Sequence, residues 1–229
     1  MIIGGMQKFS LVDFPGKTSA VFFSSGCNMR CGYCHNPELV LPNLFEPAIN
    51  MDEIYNFLDN RIGKLDGIVL SGGEPSIHKD MSEFLGEIKH RGFAVKLDSN
   101  GTNPQLLMDV IENNLVDYFA MDIKAPLDRY SEVTGRPIDT SAIERSVDII
   151  MGSGIDYEFR TTVMKGQLDI NDFVEIGSLI KGADKHFLQK FSPCKTLDPG
   201  FMDNESYSDA EMQGFQETMN NFVHSCLVR

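Results

Sequence analysis

The sequence has no tryptophan, little positive charge and no long apolar run, and each shortage narrows the range of functions. Lysine and arginine number 20 against 33 aspartates and glutamates, a formal net charge of −13. A surface that neutralises nucleic-acid phosphates needs a basic stripe, and an anionic membrane attracts basic clusters; neither partner is expected. No apolar stretch approaches the ~20 residues needed to span a bilayer. Met1 to Gly5 hold no basic region leading into an apolar core, so no secretory signal is expected. A cytoplasmic, reducing setting follows as an expectation, and there clustered cysteines read as metal ligands. Repeats, low-complexity runs and linkers are also missing. With 229 residues, enough for one sizeable core, a single domain over 1–229 is expected.

Of five cysteines, three fall together as Cys27, Cys31 and Cys34, spaced C-x3-C-x2-C. No second C-x2-C or H-x3-H exists to complete a four-ligand zinc site. Three close thiolates can hold three irons of a cubane [4Fe–4S] cluster and leave the fourth iron without a protein ligand. Cys194 and Cys226 have no cysteine neighbour in sequence and read as structural. His35 follows a ligand position; the other histidines are scattered.

Along the chain, apolar strand signals alternate with helical ones. Strands are expected at 18–24, 67–70, 93–97, 117–121, 157–163 and 186–191, nearly continuous in apolar residues as in strands buried on both faces. Helices are expected after Asn50-x-x-Glu53, around Met81 to Ile88, after Asn103-Pro104, after Ser141-x-x-Glu144, after Asp172-x-x-Glu175, and from Ser208-x-x-Glu211 to about 226. Such alternation implies parallel strands joined by right-handed crossovers, and six units are too few for a closed eight-stranded barrel. Gly16-Lys17-Thr18 looks like the end of a phosphate loop, but Leu11 stands where that motif needs glycine, and a strand follows. Polar clusters directly follow the expected strands: the cysteine loop at 24–37, Ser71-Gly72-Gly73-Glu74-Pro75, Asp98-Ser99-Asn100 and Asp122-Ile123-Lys124. Parallel barrels carry their chemistry at those strand ends.

The cysteine spacing, with Tyr33 just before the last cysteine, resembles the radical S-adenosylmethionine superfamily. The longer strings Phe9-Ser-Leu-Val-Asp-Phe-Pro-Gly-Lys17 and Cys34-His-Asn-Pro-Glu38 resemble the activating proteins of anaerobic ribonucleoside-triphosphate reductase, which belong to the glycyl-radical-enzyme activases. The resemblance implies a laterally open, partial (β/α)6 barrel with one [4Fe–4S] cluster on Cys27, Cys31 and Cys34. It implies S-adenosylmethionine at the open iron, cleaved to a 5′-deoxyadenosyl radical that takes hydrogen from a glycine of a partner enzyme. It places Tyr33 beside the adenine, with Phe191 as a second aromatic. Gly72, Gly73, Glu74 and Pro75 would meet the methionine amino group. Asp98, Ser99 and Asn100 would meet the ribose and carboxylate end. Asp98 and Asp122 would hold a monovalent cation, and Lys124 and Arg160 would pair with the cofactor carboxylate. No ferredoxin-like insert with further cysteine quartets is present, so an external donor such as flavodoxin or ferredoxin is expected. Two other readings stand beside this one: a small-molecule enzyme like 7-carboxy-7-deazaguanine synthase, and a non-catalytic metal-binding adaptor.

Overall fold

Eight strands form one sheet in chain order: β1 (Ile3–Ser10), β2 (Ser19–Ser24), β3 (Gly67–Gly72), β4 (Ala94–Ser99), β5 (Tyr118–Asp122), β6 (Asp156–Val163), β7 (His186–Lys190) and β8 (Cys226–Val228). The computed structural model describes residues 1–229. Every neighbouring pair from β2 to β8 is parallel, and β1 alone runs antiparallel, against β2. The order never returns to its start, so the barrel is open between β1 and β8. The six expected strands are β2 to β7, shifted by one or two residues. β1 and β8 are additions. β1 reads IGGMQKFS, with glycines and polar residues and no apolar run, and β8 is only three residues long.

Six helices follow the strands on the outside: α1 (Met51–Asp59), α2 (Met81–His90), α3 (Pro104–Glu112), α4 (Thr140–Gly152), α5 (Ile170–Leu179) and α6 (Asp209–Met219). Their apolar stripes fall at helical spacing and are buried: Met81, Phe84, Leu85 and Ile88 on α2; Ile143, Val147 and Ile150 on α4. They share one core with Phe22, Leu70, Leu97, Met121 and Phe159 of the sheet. The alternate sheet residues face the barrel interior. At the amino ends of the strands, Phe14, Val21, Val69 and Tyr118 make a separate small cluster. A Cβ on Gly67, the first residue of β3, would come within 2.9 Å of the Phe14 ring. The Asp13-Phe-Pro-Gly16 lead-in therefore floors the barrel, far from the cysteine loop.

Three helix starts differ from the sequence reading. Asn50 accepts from the Asp52 N–H at 2.8 Å, but Glu53 makes no return bond. α4 is capped by Asp139, not Ser141. α5 is capped by Asp169 in a reciprocal box with Asp172, not by Asp172 with Glu175. In both displaced cases an acidic or hydroxyl residue inside the first turn imitates the cap one or more positions upstream. Replacing Asp169 by alanine is expected to cost about 1 kcal/mol, whereas Glu175→Gln, at an exposed position, stays within about 0.5 kcal/mol; urea unfolding measures both. The Ser208–Glu211 box is as expected. Its helix ends at Met219 rather than near 226, because Asn220 turns the chain and accepts from the Cys226 N–H at 2.9 Å. Phe222 then packs from the turn onto Gly177, where a Cβ would sit 2.4 Å from its ring.

Candidate active site

The carboxyl ends of the strands surround a cavity of about 270 Å³. The cysteine loop forms one wall. It leaves β2 through Gly26, at φ +102°, and ends at the short helix Pro37–Val40. Arg30 holds its curve by donating from Nη1 to the carbonyls of Cys27 and Met29, each at 2.6 Å. The Arg30 N–H donates to Thr134 at 2.7 Å, bracing the loop on the helix Tyr130–Thr134. Asn28 joins the loop to the end of β4, donating to Thr102 Oγ1 at 2.8 Å and accepting from Asn100 Nδ2 at 2.9 Å.

The turn after β3 lies directly behind this loop. The Gly73 N–H donates to Ser24, and the Glu74 N–H donates to Gly26 at 2.8 Å. A Cβ on Gly73 would fall 2.0 Å from the Gly26 carbonyl oxygen, and one on Gly72, at φ +116°, 2.4 Å from the Ser24 nitrogen. Both glycines are needed because two backbones meet there. Gly72→Ala should lose about 1–3 kcal/mol through backbone strain alone; thermal unfolding and iron uptake, measured together, check it.

Glu74 is fully buried and cross-links the ends of β3 and β4. Its Oε1 accepts from the Ser76 N–H and from Ser99 Oγ, and its Oε2 accepts from the Asn100 N–H at 2.6 Å. Burial raises its carboxyl above the usual range, and these donors pull it back down. Beyond it, Arg160 bridges two aspartates: Nη1 to Asp98 at 3.1 Å and Nε to Asp122 at 2.9 Å. Lys96 adds a second cation on Asp98 at 2.6 Å, and Lys124 one on Asp122 at 2.9 Å. Burial would push both carboxyls up, but Arg160, then the lysines, hold them below the ordinary carboxylate range.

The structure brings together Cys27, Cys31, Cys34 and Tyr33 with Gly72, Gly73 and Glu74. Asp98, Ser99, Asn100, Asp122, Lys124 and Arg160 complete that wall. Pro75 lies outside it, buried at the start of the turn Pro75–Ile77. Phe191 also lies outside, its ring 5.7 Å from that of His35. Sequence reasoning missed Thr162 and Gln189 on the strands and Val40 beyond the loop, and gave no role to Ser71, Met29 or Asn36 within the clusters it named. Motif spacing gives no signal for Thr162 or Gln189. The β6–β7 register, which pairs them, does.

The donor set fits an open iron–sulfur cluster. No three His, Cys, Asp or Glu side chains converge on a single ion, as a zinc site requires. Thiols spread around a cavity suit a cluster in which each binds its own iron. Burial pushes the Cys27 thiol up to about 12 and raises that of Cys31 as well, so these two bind as thiolates only with a metal charge beside them. The Tyr33 hydroxyl is buried beside the cavity with no hydrogen-bond partner, which fits a ligand there.

An open parallel barrel with three thiols and a paired ionic array at its strand ends is the arrangement of a cluster-dependent enzyme. The sequence matches the Radical SAM superfamily over residues 21–180. The chain belongs to that superfamily and is an enzyme of it, and membership implies a [4Fe–4S] cluster and S-adenosylmethionine. A Methanocaldococcus jannaschii protein named "Putative glycyl-radical enzyme activating enzyme" is 32% identical over 100% of this chain and 95% of its own length. A Staphylococcus aureus pyruvate formate-lyase-activating enzyme is 30% identical over 58% of this chain and 57% of its own. Among solved structures, Streptococcus suis SuiB bound to S-adenosylmethionine aligns with a TM-score of 0.66 at 12% identity, over 91% of this chain and 49% of SuiB. The chain thus spans about half the length of that neighbour. A domain of the pyruvate formate-lyase-activating enzyme of Bacteroides vulgatus aligns at 0.58 with 13% identity, over 71% of this chain and 98% of that one. The structural likenesses are likenesses of fold. No helix is long and apolar enough to cross a membrane.

Proposed function

We propose that the chain is a glycyl-radical-enzyme activase that takes a hydrogen atom from a glycine Cα of a partner enzyme. The observation that carries this reading is a sheet left open between β1 and β8, with a strand-end cavity too small to enclose both a cofactor and a large substrate. A loop of a second protein reaches such a site from the side. The full-length similarity to an activase relative supports it.

Cys27, Cys31 and Cys34 hold three irons. Glu74 and the backbone of Gly72 and Gly73 receive the methionine ammonium, and the three donors on Glu74 fix its orientation. Ser99 and Asn100 meet the ribose end. Lys124 and Arg160 face the cofactor carboxylate, a charge-assisted pairing, and Tyr33 lies beside the adenine. When bound, the cluster and S-adenosylmethionine supply one-electron cleavage of the sulfonium to methionine and a primary carbon radical. The protein's part is to position the reactants and keep water out. A monovalent cation on Asp98 and Asp122 has to displace Arg160, which already bridges them; we therefore assign that counter-charge to Arg160. An external flavodoxin or ferredoxin supplies the electron, in the cytoplasm.

The partner we propose is an anaerobic ribonucleoside-triphosphate reductase. The test mixes the reduced protein with S-adenosylmethionine and either this reductase or a pyruvate formate-lyase, and records the glycyl radical by electron paramagnetic resonance. A radical on the reductase alone supports the assignment. A radical on the lyase alone reassigns the partner, and none on either, with cofactor cleavage intact, refutes the activase reading.

A further inference from the structure

The cavity has two chemically different walls. Towards β4 and β5 the groups are charged: Lys96, Arg160 and Lys124 stand against Asp98 and Asp122, three cations to two carboxylates, which leaves one positive charge for the cofactor carboxylate. Towards β6 and β7 the groups are neutral. Thr162 and Gln189 line the cavity, are half-buried, and spend no side-chain hydrogen bond within the chain. Thr162 stands opposite Gln189 in the parallel ladder. It follows Arg160 by two residues, so its side chain leaves the sheet on the cavity face, and Gln189 shares that face as its partner.

Such a wall suits one kind of ligand. A charged small molecule would meet no free opposite charge there. Glycine offers a protein nothing to grip except the peptide units on either side of its Cα. A primary amide carries both a donor and an acceptor, and a hydroxyl can act as either. Neighbouring strands lie about 4.8 Å apart, close to the ~3.8 Å between successive Cα atoms. Two side chains on adjacent strands therefore reach successive peptide units of one extended segment.

We infer that Thr162 and Gln189 are substrate-positioning residues: they hydrogen-bond the two peptide units flanking the target glycine of an extended segment entering through the open side. This rests on the reading that the substrate is a glycine. It goes further in assigning recognition to the main chain, through two neutral groups.

The test uses the cluster-loaded, reduced protein and a blocked seven-residue alanine peptide whose central glycine carries deuterium on Cα. Deuterium appearing in 5′-deoxyadenosine reports hydrogen transfer, and a titration of the cluster's electron paramagnetic resonance signal reports cofactor affinity. Thr162→Val and Gln189→Met should each raise the peptide KM about tenfold, the loss expected when a peptide group is left without its partner. Thr162→Ser, which keeps the hydroxyl, should restore most of it. The cofactor's half-saturation should move far less than the peptide KM. Variants with a peptide KM within about twofold of the parent overturn the inference alone, as does an equal loss of cofactor affinity. If the parent protein cleaves the cofactor but takes deuterium neither from the peptide nor from a deuterated glycyl-radical enzyme, the glycine reading fails and this inference falls with it.

Discussion

Alanine at Cys27, Cys31 or Cys34 is expected to abolish cofactor cleavage, by about a thousandfold or more, which corresponds to about 4 kcal/mol on the barrier. All three thiols line the same cavity, and Cys31 is buried beneath the loop. Removing any one would leave an iron without its thiolate, and neither other cysteine lines the cavity: Cys194 is exposed, in a segment whose Lys195 and Asp198 bond Glu38 and Gly32 of the loop, and Cys226 of β8 is buried beside His186. The loss should therefore appear first as missing iron and sulfide in the purified protein, before any kinetic measurement. Cys194→Ala should keep the parent's iron content. A Cys31→Ala protein with full iron and an unchanged spectrum would break the assignment of the cluster to this loop.

Arg160→Met should have the largest effect on stability. The guanidinium is 14% exposed and bridges aspartates that are 13% and 25% exposed. Deleting it removes two charge-assisted hydrogen bonds, each worth about 1.5–3 kcal/mol, without leaving either carboxylate unpaired. Here the lower end applies, since Lys96 and Lys124 stay in place and the carboxylates keep some contact with solvent. About 3 kcal/mol lowers the melting temperature of a chain this long by roughly 6–12 °C. The effect has a pH signature. Asp98 and Asp122 are held below the ordinary carboxylate value. Their stabilisation is therefore complete above the unfolded value near 3.9 and is lost as pH falls through the depressed folded values. Without Arg160 the depression shrinks, so the acid loss of stability becomes shallower. Calorimetry across the acid range reads both the offset and the slope. Arg160→Lys, which keeps the charge but cannot bridge in the same way, should fall between parent and methionine variant.

The parallel core was legible because β2 to β7 are apolar runs each followed by a polar cluster, a pattern that follows from burial on both faces and chemistry at one end. β1 was not legible: its interior is largely glycine and polar residues, and it becomes a strand by pairing with β2 across an edge. α6 appeared too long because Phe222 continues the spacing of Met212, Phe215 and Met219, yet it packs from a turn. In the site, the cysteines and the Gly-Gly-Glu turn announce themselves by spacing. Arg160 was visible as a charge in a strand, but its bridging of Asp98 to Asp122 depends on register. Thr162 and Gln189 matter only as neighbours across two strands, which local sequence does not encode. Pro75 belonged to the motif but faces away from the cavity, as the buried start of a turn.

The most direct test of the central claim uses the protein alone. It would be reconstituted anaerobically with iron and sulfide and reduced, and its low-temperature electron paramagnetic resonance recorded with and without S-adenosylmethionine. The account predicts a [4Fe–4S]⁺ signal that shifts when the cofactor is added, with 5′-deoxyadenosine formed. A cluster signal indifferent to the cofactor, or one bound zinc and no cluster, would contradict it.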